Sequence, residues 1–168
     1  AINTSIKTFA FILINLLALK IHSQAPSVFF TKINKSPQLR DATVRAIIQD
    51  DIGYIWLGTS KGVFRYDGNN FEAMHQKFAK NTSDIPFDIS SFLKDASGNI
   101  WMGSASGILA CFQPKANHFQ SYKIPVNEAV SLTTIWDMSL DKEENIWLAL
   151  ERGIAFFNTK TKKFETWR

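Results

Sequence analysis

The sequence predicts an all-β repeat fold, and three observations carry that prediction. Trp56, Trp101 and Trp147 stand 45 and 46 residues apart, each inside nearly the same phrase: Tyr-Ile-Trp-Leu-Gly, Asn-Ile-Trp-Met-Gly and Asn-Ile-Trp-Leu-Ala. An Asp lies six residues before each Trp (Asp50, Asp95, Asp141), and a Gly lies six after it (Gly62, Gly107, Gly153). Short apolar runs bounded by turn residues fill every copy, which is the patterning of strands. A period of 45 to 46 residues with strands inside it is the length of one four-stranded blade of a β-propeller, and it exceeds most helical and leucine-rich repeats.

Within each repeat the first strand is the run that ends at the Asp: 43–49, 88–94 and 134–140. A turn follows at once. Asp50-Asp51-Ile52-Gly53 and Asp95-Ala96-Ser97-Gly98 offer a carboxylate to accept turn amides and a glycine for the position that needs positive φ. The third copy reads Asp141-Lys142-Glu143-Glu144 and lacks that glycine, so Asn145 or a distorted turn is expected to take the left-handed place in a looser hairpin. The second strand carries the tryptophan and is apolar at consecutive positions, so both its faces must be covered, as they are when a blade lies between two neighbours. Gly58, Gly103 and Ala149 keep one place on that strand small, which suits the close approach of an adjacent blade. Third strands start at Gly62, Gly107 and Gly153, and fourth strands at Phe71, Phe119 and Phe164. On this reading blade 1 spans about 43–76, blade 2 about 88–124 and blade 3 about 133–168, with all three tryptophans in the core.

Residues 28–33, Val28 to Ile33, resemble the fourth strands but have no first three before them, which makes them an orphan outer strand. Three blades do not make a ring, since closure usually takes four to eight. The expectation is an incomplete ring, the opening portion of a longer propeller whose remaining blades are its partners, and an aggregation-prone segment when isolated.

The first 25 residues differ from the rest. Lys7 precedes a 12-residue apolar run, Thr8 to Leu19, which is closed by Lys20 and by Ser23-Gln24-Ala25. That is the pattern of a secretory signal peptide, and the run is shorter than the roughly 20 residues of a permanent membrane helix. Without residues 1–25 the chain holds 17 basic and 15 acidic side chains, a net charge of +2. The bases are scattered, so the segment has no electrostatic footprint for nucleic acid. The single Cys111 sits in an apolar run and reads as a small buried hydrophobe.

The run from Val44 to Phe71, containing Ile48-Gln49-Asp50-Asp51-Ile52-Gly53-Tyr54-Ile55-Trp56-Leu57-Gly58-Thr59-Ser60-Lys61-Gly62, resembles the two-component regulator propeller repeat. The resemblance covers about residues 28–168 and is weaker at Cys111, Glu144 and Ala149. It implies the periplasmic sensor region of a hybrid two-component system histidine kinase, commonly sensing carbohydrate fragments. It further implies a membrane tether, downstream signalling domains and a homodimer in the full-length protein.

The remaining motifs favour structure over chemistry. Gly58-Thr59-Ser60-Lys61-Gly62 fits Gly-x-Ser-x-Gly, but a nucleophile elbow needs a strand turning into a helix, and here two strands of one hairpin are joined. His75 and His118 have no partner at ligand spacing, and the acidic group Asp141, Glu143 and Glu144 lacks the alternation and central glycine of a calcium loop. Asn81-Thr82-Ser83 has only the form of a glycosylation sequon. No catalytic residue, metal or cofactor is expected. Ligand residues should instead differ from blade to blade, on the loops that lead into first strands and join second to third strands. These hold Arg40, Asp41, Arg45 and Lys61, then Asp84, Asp88 and Ser106, then Trp136, Glu151 and Arg152. Arg45, Ser90 and Trp136 are equivalent in position but unrelated in chemistry. Arg45 is thus a candidate clamp for carboxylate or hydroxyl groups and Trp136 a stacking platform, with Arg40, Lys61, Asp88 and Arg152 as lesser candidates. A secreted interaction scaffold and a propeller-type polysaccharide lyase or glycosidase stand as alternative functions.

Overall fold

The computed structural model describes residues 37–74, 85–125 and 134–167. The candidate signal peptide, the orphan strand 28–33, His75, Asp84 and the sequon lie outside the described residues. After one 3₁₀ turn, Pro37–Leu39, the described residues form three four-stranded antiparallel sheets that do not close into a ring. Blade 1 is β1 (Val44–Gln49), β2 (Ile55–Thr59), β3 (Gly62–Tyr66) and β4 (Phe71–Ala73). Blade 2 is β5 (Ile89–Lys94), β6 (Ile100–Ser104), β7 (Ile108–Gln113) and β8 (His118–Lys123). Blade 3 is β9 (Ile135–Leu140), β10 (Ile146–Leu150), β11 (Ile154–Asn158) and β12 (Lys163–Trp167). Strands follow chain order in every sheet, and β1 runs beside β5 and β5 beside β9, which sets the first strand of each blade along the inner edge.

The turn after each first strand is built alike. Asp50 Oδ1 accepts the amides of Ile52 and Tyr54, Asp95 Oδ1 those of Ser97 and Asn99, and Asp141 Oδ1 those of Glu143 and Asn145, all at 2.8–3.1 Å. Gly53 and Gly98 take positive φ as expected. In the third turn Glu144, not Asn145, holds the left-handed place at φ 62, and the turn closes with the same hydrogen bonds. The aspartate does more than cap the turn. Its second oxygen accepts the indole N–H six residues on, at 2.8 Å for Asp50 and Trp56 and 2.9 Å for Asp95 and Trp101. At Asp141 burial alone would raise the pKa, but hydrogen bonds from the Asn145 amide and side chain, the Glu143 amide and the Trp147 indole hold it below the usual range.

Packing lies between blades. Trp56 and Val63 of blade 1 share one cluster with Ile89, Ile100, Met102, Ala110 and Phe112 of blade 2. Trp101 and Leu109 of blade 2 share another with Ile135, Ile146, Leu148, Ala155 and Phe157 of blade 3. Close approach is set at the small residue of the second strand: a Cβ placed on Gly58 would lie 2.7 Å from Ile89 Cγ2, and one on Gly103 2.6 Å from Ile135 Cγ2. One expectation is corrected. Trp56 is fully buried and Trp101 nearly so, but Trp147 is 40 % exposed. Each tryptophan faces the blade that comes next, and among the described residues none lies on that side of blade 3, so Trp147 stacks on Trp167 (centroids 5.8 Å apart) and Phe156 (5.1 Å) and keeps the rest of that face open.

Candidate functional site

The end of the blades that carries the first-strand starts is stitched by one repeated bond. The hairpin between second and third strands donates an amide to the residue before the first strand: Ser60 to Thr43, Ala105 to Asp88 and Glu151 to Thr134, at 2.9–3.0 Å. The two loop sets therefore share one face. Ser60 Oγ accepts the Thr43 amide at 3.1 Å, a turn role in a strand–turn–strand unit.

On that face each inner strand carries a β-bulge. Pairing skips Arg45 between Val44 and Ala46, Ser90 between Ile89 and Ser91, and Trp136 between Ile135 and Asp137. A bulged residue is left out of the ladder and its side chain is re-aimed. The three positions singled out by their divergent chemistry are thus the three that the backbone releases from the sheet.

Their fates differ. The Arg45 guanidinium lies 3.0 Å from Asp88 Oδ1 of the neighbouring blade, each side chain about a third exposed, and Asp88 sits at left-handed φ 58. The approach is ionic, without the alignment of a hydrogen bond, since Asp88 Oδ1 is buried and has no hydrogen-bond partner. Two of the candidates are so brought together across the blade boundary. Ser90 is spoken for: its hydroxyl reaches the carbonyls of Gly103, at 3.1 Å, and Ile135, tying blade 2 to blade 3. Trp136 is 56 % exposed on β9. Lys61 lies 3.9 Å from Asp41, both well exposed, while Arg40 and Arg152 are exposed on turns and join neither cluster. Ser106 turns back onto Ser104 at 3.0 Å.

Elsewhere the chemistry is quiet. Cys111 is buried, and burial, with Asp95 adding and Lys162 opposing, pushes its thiol up to about 12. No group of three His, Cys, Asp or Glu able to hold a metal occurs among the described residues. One concavity that sequence reasoning missed, about 170 Å³ between blades 2 and 3, is lined by Trp101, Cys111, Tyr122, Glu144 and Lys162. In blade 1 the place of Cys111, opposite the tryptophan, belongs to Arg65, which lies over Tyr54 and pairs with Glu72 at 2.7 Å. The signal available in the sequence was that exchange of a long side chain for a short one.

Comparison with known proteins gives a consistent picture. Residues 38–61 match the family model of the two component regulator propeller. Over 79 residues the chain is 35 % identical to Histidine kinase P4 of Formosa agariphila, a match that covers 47 % of this chain and 6 % of that protein. The extracellular domain of a proposed hybrid two component system from B. thetaiotaomicron superposes with a TM-score of 0.60 at 25 % identity, covering 83 % of this chain and 18 % of that one. Virginiamycin B lyase from Staphylococcus aureus also superposes at 0.60, with 13 % identity over 82 % of this chain and 44 % of its own, a likeness of fold alone. The chain thus spans a small part of the proteins it matches.

Proposed function

We propose, from the match of residues 38–61 to the two component regulator propeller and the recurrence of that pattern in all three blades, that this chain is the ligand-sensing portion of an exported two-component signalling protein. The observation that supports this reading is the row of bulges: one side chain per blade released from the sheet, differing in chemistry from blade to blade, on one face. A ligand bearing hydroxyl groups and an apolar ring face, as a carbohydrate fragment does, suits an exposed indole at Trp136 and the Arg45–Asp88 pair. The signal arises if the ligand binds one arrangement of the propeller more tightly than another, and the output belongs to domains outside these residues.

The test is a titration of the purified chain with a panel of neutral and uronic-acid oligosaccharides, read by tryptophan fluorescence and calorimetry. A saturable response that Trp136→Ala weakens at least about 10-fold, as loss of a stacking platform should, and that Arg45→Ala also weakens, supports the reading. If no sugar of the panel binds, or if binding survives both substitutions unchanged, the proposal fails.

A further inference from the structure

The concavity of about 170 Å³ between blades 2 and 3 lies at the turn ends of the strands, away from the bulges, and both blades line it. Its floor is apolar. Trp101 and Tyr122 stack at 25° with centroids 6.3 Å apart, beside Cys111. The space exists because Cys111 is short, whereas the long Arg65 stands in the same place on blade 1.

The rim carries one charge of each sign. Lys162 Nζ stands 5.9 Å from the Trp101 ring centroid and 5.7 Å from that of Tyr122, and Glu144 lines the same space from the turn between β9 and β10. Among the described residues neither makes an ion pair, with the other or with any third group. Asp95 also lines the cavity, but its two oxygens already take four hydrogen bonds. Both charged residues sit where the backbone would favour others. Three residues after the turn aspartate, Glu144 has φ 62 at the place of Gly53 and Gly98, and just before the fourth strand Lys162 has φ 60 at the place of Asn117. Glycine and asparagine adopt that left-handed conformation readily, and glutamate and lysine do not. A further acceptor opens onto the cavity through the loss of an amide. In blade 3 Asn145 Oδ1 accepts the amide of Thr159, the residue after the third strand, at 3.3 Å. In blade 2 that residue is Pro114, which has no N–H, and Asn99 Oδ1 is left on the lining without that donor.

We propose that this cavity binds a small zwitterion, a free α-amino acid, with its carboxylate on Lys162, its ammonium between Glu144 and Asn99 Oδ1, and its side chain over Trp101 and Tyr122. An anion alone would leave Glu144 unpaired beside it, and a cation alone would meet Lys162. Complementarity therefore selects a ligand that carries both charges. The volume equals that of about six waters at about 30 Å³ each, which suits a small amino acid and is too little for an oligosaccharide. The site differs from the bulge face in place and in ligand, and stands whether or not a sugar binds there.

Isothermal titration calorimetry of the purified chain with glycine, alanine and serine tests this, with acetate and methylamine as half-ligands. At least one amino acid is expected to bind with a Kd of about 1 mM or tighter, and each half-ligand at least about 10-fold more weakly. The decisive variants are Glu144→Gly and Lys162→Asn, which restore what the other blades carry at these places. Each should melt within about 3 °C of the parent or above it, because backbone strain is relieved, and each should bind at least about 10-fold more weakly, because a charge is gone. Lys162→Arg keeps the charge and should stay within about 3-fold of the parent. The inference is overturned if none of the three amino acids binds that tightly, if acetate or methylamine binds as well as they do, or if Glu144→Gly and Lys162→Asn bind like the parent. A melt lowered further in step with the lost binding would mark a structural role for the two charges and overturn it as well.

Discussion

Truncating Trp56 and Trp147 in parallel separates burial from sequence identity, because the two residues have the same neighbours in the chain and the same aspartate six residues before them. Trp56→Ala removes a fully buried indole, for which a loss of about 3–5 kcal/mol is expected. Trp147 keeps 40 % of its surface in water. For a side chain of about 250 Å² that is about 100 Å² never buried, or about 2.5 kcal/mol at about 25 cal/mol/Å², and nearer 1.5–2 once the compactness of the unfolded chain is counted. Both substitutions also delete an indole bond to the turn carboxylate, so that loss cancels in the comparison. Trp147→Ala is therefore expected to cost about 2 kcal/mol less than Trp56→Ala. Urea unfolding followed by circular dichroism, at concentrations where scattering reports a monomer, measures both values, and a Trp→Phe pair at the same sites serves if Trp56→Ala does not fold. Equal losses, or a larger loss at Trp147, would refute the assignment of each tryptophan to the junction with the next blade.

Two further outcomes follow from packing and titration. Gly103→Ala places a methyl 2.5 Å from Ser91 Oγ and 2.6 Å from Ile135 Cγ2; such overpacking costs about 1–3 kcal/mol and should lower Tm by about 3–12 °C, so an unchanged melt would remove the close approach at that residue. Cys111 should resist thiol reagents at pH 8 in the folded chain and react once urea unfolds it, because its thiolate is suppressed and buried. Its folded pKa is raised, so the stability it lends is complete below the ordinary thiol value of 9.0 and is lost as pH climbs toward about 12. A Cys111→Ala chain, compared by urea titration across that window, should lack this part of the alkaline loss; identical alkaline profiles would contradict it.

Sheet number, strand order and turn chemistry were legible because they recur: a period of 45 to 46 residues and a fixed Asp-to-Trp spacing leave few folds that satisfy all copies. The spacing of six held a second meaning that turn rules alone did not give, namely that the carboxylate reaches the indole across the hairpin. The bulges were legible only through divergence, since no residue type marks them: an arginine, a serine and a tryptophan occupy one backbone position. Pairing between blades was not legible. Arg45 and Asp88 are 43 residues apart, and their meeting depends on a left-handed backbone at Asp88 that aspartate tolerates but does not announce. Trp147 was misplaced for a related reason, as its copy of the motif specifies a strand but not whether anything lies against it.

The bulge on each inner strand separates two tasks that most strands must combine. Where the kinked side chain makes no tie to the next sheet, as at the exposed Trp136, it can be exchanged at small thermodynamic cost while the neighbours on either side go on fixing the fold; the Ser90 hydroxyl, which bridges two blades, is the exception. A propeller of this kind therefore offers natural variation an adjustable codon wherever the bulged side chain is not itself a link between sheets, and new recognition can be acquired there without renegotiating the architecture that presents it.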